Sequence, residues 1–128
     1  MPKREVMKAK EFEDVVAEVL DDLPADFAEK LENVEVVVED WPVKADLEAA
    51  GVGNGQTLLG LYHGVPLSER GWHYMLVLPD RISIYREPIE RLCKQSKVPV
   101  NEMIRQVVLH EIAHHFGIPD SRLRELGY

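Results

Sequence analysis

The sequence predicts a single α+β domain. Three observations carry that expectation. Apolar residues recur at helical spacing near the start of the chain and again over its last third. Between them lie β-branched apolar runs of strand length. The length, 128 residues, suits one hydrophobic core, and no internal repeat or low-complexity segment divides it.

The elements follow in order. Phe12, Val15, Val16, Val19, Leu20 and Leu23 keep helical spacing with Glu and Asp between them, which predicts an amphipathic first helix. Pro24 interrupts it, and Ala25 to Leu31 predicts a short second helix with Phe27 and Leu31 inward. Val34 to Val38 reads as a strand, ended by Asp40-Trp41-Pro42. Ala45 to Ala50 fits one or two helical turns. Gly51, Gly53, Asn54 and Gly55 then break regular structure. Without the Lys-Ser/Thr of a phosphate-binding loop, that stretch reads as a flexible connection. Leu58 to Tyr62 reads as a strand, His63 to Arg70 as a polar loop, and Tyr74 to Leu78 as a second apolar run. Arg81 to Arg86 reads as a further strand, and Ile89, Leu92 and Cys93 predict a helix from Glu87 to Lys97. Pro99 separates it from a long helix over Val100 to Phe116, which Gly117 stops as a C-cap. Ser121 to Glu125 forms a final turn.

Composition narrows the function classes. Lys plus Arg is 15 and Asp plus Glu is 23, a net charge of −8, which argues against nucleic acid or an anionic membrane as partner. The single cysteine, Cys93, allows no internal disulfide, so no oxidising compartment is required. Met1 to Leu23 lacks the continuous apolar stretch of a signal peptide, and no run approaches the length of a membrane span. A cytoplasmic protein is the simplest expectation.

The chemistry is concentrated in His110-Glu111-Ile112-Ala113-His114, which continues as His115-Phe116-Gly117-Ile118-Pro119-Asp120. The string reads HExxHxxGxxD. Residues four apart stack on one helix face, so His110 and His114 can present two imidazoles to one ion with Glu111 beside it. Two core histidines bonded to carbonyls are the plainer alternative. They would not explain the pair, the intervening glutamate and the later glycine together. Val107, Val108, Leu109, Ile112, Ala113 and Phe116 make this helix apolar almost all round, which predicts that it is buried and that its polar groups need partners. Catalytic zinc keeps three protein ligands and an open position. His110 and His114 are two, and Asp120, brought back after Gly117, is the best third. The competing role for Asp120 is an N-cap of the turn at Ser121. Glu111 is the candidate general base, against the plainer reading of a surface glutamate. One zinc ion is expected, although two imidazoles and a carboxylate hold other divalent ions too.

Other candidates are weaker. His115 points about 100° away from His114 around the helix and should not share its metal, so it packs, hydrogen-bonds or supports the site from behind. His63 and His73 fall on expected loops. Tyr85 and Tyr128 have the hydroxyls to stabilise an oxyanion, with ordinary core or terminal packing the commoner use. Cys93 reads as a small buried hydrophobe, and Arg86 and Arg70 as partners of local acids.

On these residues the chain resembles the zincin-like metallopeptidase family of short bacterial proteins. The resemblance runs from about Leu23 onward and rests on Val34 to Trp41 (VEVVVEDW), Leu58 to Arg70 (LLGLYHGVPLSER), Arg81 to Pro88 (RISIYREP) and Val108 to Leu123 (VLHEIAHHFGIPDSRL). It implies a minimal zincin: a small mixed β-sheet, a backing helix and an active-site helix. By the same analogy Leu58 to Tyr62 is an edge strand above the metal that pairs with an extended peptide. Metzincins carry a histidine where this chain has Asp120, and a methionine turn after the motif. Only eight residues follow Asp120 here and none is Met. The lower half of a cleft is therefore nearly absent, which implies an open, shallow site, one completed by a second copy in a homo-oligomer, or metal binding without efficient proteolysis.

The expected function is zinc-dependent hydrolysis of peptide bonds in a peptide or protein substrate. His110, His114 and Asp120 hold the metal, and Glu111 takes a proton from the activated water. The rival is a catalytically weak or inactive metal-binding scaffold that serves as a protein-interaction module.

Overall fold

A computed structural model describes residues 9–51, 58–64 and 80–128. The first helix, α1 (Ala9–Asp21), buries Phe12, Val16 and Val19, the stripe its sequence spacing creates. After Pro24 comes α2 (Ala25–Lys30), with Phe27 fully buried. β1 (Val34–Glu39) and α3 (Lys44–Ala49) follow, then β2 (Gly60–His63) and β3 (Asp80–Tyr85). Three helices complete the chain: α4 (Arg86–Ser96), α5 (Val100–Phe116) and α6 (Asp120–Glu125). The glycine stretch after Gly51 and the apolar run Tyr74 to Leu78 lie outside the described residues, as do Arg70 and His73.

Among the described residues, β3 is the middle of a three-stranded sheet in the order β1-β3-β2. β1 runs parallel to it, with Val34 opposite Asp80 and Val38 opposite Ile84. β2 runs antiparallel, with Gly60 opposite Ile84 and His63 opposite Arg81. This is the small mixed sheet the resemblance implied, and β2 lies at an edge among the described strands. His63 belongs to β2, not to a loop, because pairing with Arg81 carries the strand one residue past Tyr62.

Alternation sorts the two faces. Ile82 and Ile84 are fully buried toward the helices, with Val34, Val36 and Val38 of β1 packed beside them. Ser83 and Tyr85 are equally buried but point the other way. The Tyr85 hydroxyl donates to Asp46 Oδ2 of α3 at 2.7 Å, and Ser83 Oγ donates to Glu39 at 2.9 Å and lies 3.2 Å from His63 Nε2. Burial, and then the Asp46 carboxylate, push the Tyr85 phenol above its ordinary pKa.

On the helical side α5 is the hub. It packs against β2 and β3 and against α1, α2, α4 and α6. Met103, Ile104, Val107, Val108, Leu109, Ile112 and Ala113 form its buried surface. Pro99 opens it and Gly117, at φ 69°, closes it in the left-handed conformation, with Ile118 N–H donating to Ala113 O at 2.9 Å. Pro119, extended at φ −70° and ψ 152°, takes the N-cap position of α6. Asp120 is therefore the first helical residue and not the cap. No described helix is long and apolar enough to cross a membrane.

Candidate metal site and base

The last two turns of α5 carry the site. Apolar packing covers Val107, Val108, Leu109, Ile112 and Ala113, while His110 and Glu111 are half-buried and His114 is exposed. The expectation of a helix buried all round needs correction here. The helix outruns its cover, and its last turn presents His114, His115 and Phe116 to solvent. The polar residues thus lie on a rim of the packed surface.

His110 and His114 stand one turn apart, their rings edge to face with centroids 6.2 Å apart. Glu111 turns toward β2, where its Oε1 accepts the Tyr62 backbone N–H at 3.0 Å. Burial pushes the Glu111 carboxyl above the usual carboxylate range, and the Tyr62 N–H and the neighbouring His114 pull less strongly the other way. A recess of about 240 Å³ opens beside this contact, between Leu58 to Gly60 on one side and Gln106, Val107, His110 and Glu111 on the other.

Gly60 makes the close approach of helix and strand possible. A Cβ there would stand 2.6 Å from Val107 Cγ1 and 3.1 Å from the Ser83 carbonyl oxygen. A lone glycine in an apolar strand is the signal that could have marked this crossing from sequence. Nothing local foretold the next feature. His115 stacks on the Tyr62 ring, centroids 3.7 Å apart and planes 15° from parallel. Its Nε2 lies 3.8 Å from Asp80 Oδ2, the atom to which Tyr62 Oη donates at 2.8 Å. His115 thus faces β2 and clamps it, which matches its expected packing role.

Asp120 is exposed in the first turn of α6. That helix is held by the buried Leu123 and by a two-pronged bond from Arg122 to Asp26 of α2, at 2.9 and 3.0 Å. Among the described residues, no three His, Cys, Asp or Glu side chains stand close enough together to hold an ion. His110 and His114 stand one turn apart on α5, Glu111 turns toward β2, and Asp120 lies on the neighbouring element.

The remaining candidates sit elsewhere. Tyr85 is on the far face of the sheet, and Tyr128 donates to Glu102 at the opposite end of α5 at 2.6 Å. Arg86 joins Asp40 and Glu90, as a partner of local acids should. Cys93 is buried on α4, and burial raises its thiol pKa.

Comparison with known proteins bears on the fold and the family. Among solved structures, a conserved hypothetical protein from Thermus thermophilus shares the fold, with a TM-score of 0.57 and 21% identity over 90% of this chain and 99% of that one. No curated protein matches. The family model described as zincin-like metallopeptidase matches residues 31–128. That span takes in the three described strands, the histidine-bearing helix and α6, and the chain belongs to the zincin-like metallopeptidase family.

Proposed function

We propose that this protein is a zinc-dependent peptidase. The observation that carries the reading is the position of Glu111. Its half-buried carboxylate sits one residue from a histidine of a one-turn pair, at the lip of a recess and against the outer side of a strand. A general base works best when its pKa lies near the working pH, and burial moves Glu111 in that direction.

The donor set suits zinc, which takes neutral imidazole and carboxylate ligands. His110 and His114 would hold the ion on the rim of α5, and Asp120 would complete the set from α6. Bound there, zinc supplies a Lewis acid that acidifies water and polarises a carbonyl. Glu111 then accepts the water's proton and returns it to the leaving amine. Gly60 and Tyr62 of β2 align an extended main chain, and the recess beside Val107 receives a side chain of that substrate. Leu58, Leu59 and Val107 line it, so an apolar side chain fits best.

The same strand edge also suits a scaffold that binds an extended segment without cutting it, and one experiment separates the two. Protein purified without chelator is expected to carry one zinc per chain and to cleave a mixed peptide library, with Glu111→Gln retaining zinc and losing cleavage by at least about a hundredfold. Absence of zinc that added zinc does not remedy sinks the metal reading. Zinc with no cleavage moves the function to the binding scaffold, and equal cleavage by wild type and Glu111→Gln assigns the activity to a contaminant.

A further inference from the structure

Gln106 stands one helical turn before His110, and both line the recess of about 240 Å³ beside β2. Four residues along a helix bring a side chain back to within about 40° of the same direction. Helical side chains also lean toward the N-terminus, so the His110 ring is directed over the turn that carries Gln106. Both residues are half-buried. Among the described residues, neither the Gln106 carboxamide nor the His110 ring takes part in a hydrogen bond, while His110 meets His114 edge to face.

The rest of the wall narrows what can serve that ring. Leu58, Leu59, Gly60 and Val107 offer it no polar side-chain atom. Glu111, the third polar lining residue, gives its Oε1 to the Tyr62 N–H. The Gln106 main-chain carbonyl is the acceptor of the His110 N–H within α5. His114 differs, because it is exposed and water serves its ring. An imidazole that holds a metal through one nitrogen carries a proton on the other. The acceptor of that proton fixes the tautomer and the ring angle.

We propose that Gln106 is a positioning residue for His110: with zinc bound, its carboxamide oxygen accepts the N–H of the His110 nitrogen that faces away from the ion. The inference rests on the reading of His110 as a zinc ligand and adds what orients it. Gln106 touches neither the substrate nor the reacting water in this role. It acts through the tautomer and angle of one ring. Three side-chain torsions give the carboxamide the freedom to follow that ring across a single turn.

The test is zinc affinity read together with the state of the His110 ring, in the full chain as wild type, Gln106→Met and Gln106→Glu. Met keeps the length and the apolar stem without the acceptor, and Glu keeps the acceptor. Zinc alone is the probe. Its affinity is read by competition with a chromophoric chelator, and the His110 ring N–H by proton–nitrogen NMR. Gln106→Met is expected to bind zinc about tenfold more weakly than wild type, the lower end of the loss usual for such partners. Its ring N–H is expected to exchange with water about tenfold faster. Gln106→Glu is expected to keep the wild-type protection of that N–H and to bind zinc at least as tightly as wild type. Equal zinc affinity in wild type and Gln106→Met, with equal ring protection, overturns the positioning role and leaves His110 a ligand. Tighter zinc in Gln106→Glu without ring protection also overturns it, because charge alone then explains the gain. No zinc on wild type, or zinc that leaves the His110 ring signals unchanged, overturns the zinc site and the positioning role together.

Discussion

Single residues set how closely α5 and β2 meet. Gly60→Ala places a methyl 2.6 Å from Val107 Cγ1, and the overpacking should cost about 1–3 kcal/mol in urea unfolding. Val107→Ala in the same chain should recover part of that loss, and an additive double mutant would show that the two do not collide. His115→Ala removes the stack on Tyr62 and should cost about 0.5–1.5 kcal/mol while leaving zinc stoichiometry unchanged. Loss of zinc from that variant would overturn the assignment of His110 and His114 as the histidine pair. The motif itself was legible because HExxH is local, its spacing being set by one helical turn. The clamp was not, since Tyr62, Asp80 and His115 are brought together only by folding and none belongs to a pattern its neighbours reveal. The contact of the Tyr62 N–H with Glu111 was hidden for a related reason, because ladder phase depends on which strand pairs with which.

At the level of elements, local chemistry marked beginnings and ends more faithfully than coverage. Pro99 and Gly117 bound α5 where the sequence placed its limits, since φ restriction and left-handed capping act within a residue or two. Which side of α5 is covered depends on docking, and Phe116, counted among its apolar residues, is 38% exposed. The attachment of α6 was equally hidden, because Arg122 and Asp26 are far apart in sequence. Arg122→Ala should loosen α6, read as faster amide exchange over Asp120–Glu125 with little change elsewhere. If Asp120 is a ligand, zinc affinity should fall with it, and unchanged affinity would argue against that role. The same pair gives a pH dependence whose sign is fixed. Its Arg122 hydrogen bond holds the Asp26 carboxyl below its ordinary value, so the folded state binds fewer protons than the unfolded one. The stabilisation is present above the unfolded pKa and is lost as pH falls through the folded one. It should be small, since the pair is exposed and screened by salt.

Over the whole molecule, the α+β class and nearly every described element were readable from periodicity, while strand order was supplied by pairing. Zinc that binds only the folded chain should raise Tm with concentration, and His110→Ala should abolish the rise. Alkali should act through the far face of the sheet. The Tyr85 phenol is raised in the folded state, so its contribution holds below the unfolded pKa of about 10 and declines as pH rises beyond it. Tyr85→Phe should cost about 1–3 kcal/mol near neutrality, by leaving Asp46 without its donor, and should flatten that alkaline decline. The parallel pairing of β1 with β3 also bears on how the chain reaches this state. Val34 must find Asp80 across a long intervening segment before the middle strand has a neighbour on that side, whereas β2 approaches β3 over a shorter one. Loop-closure entropy is met before those contacts reward it, so the β1–β3 encounter should be the slow step in refolding. Lengthening the connection after Glu39 should slow folding and leave the unfolding rate nearly untouched.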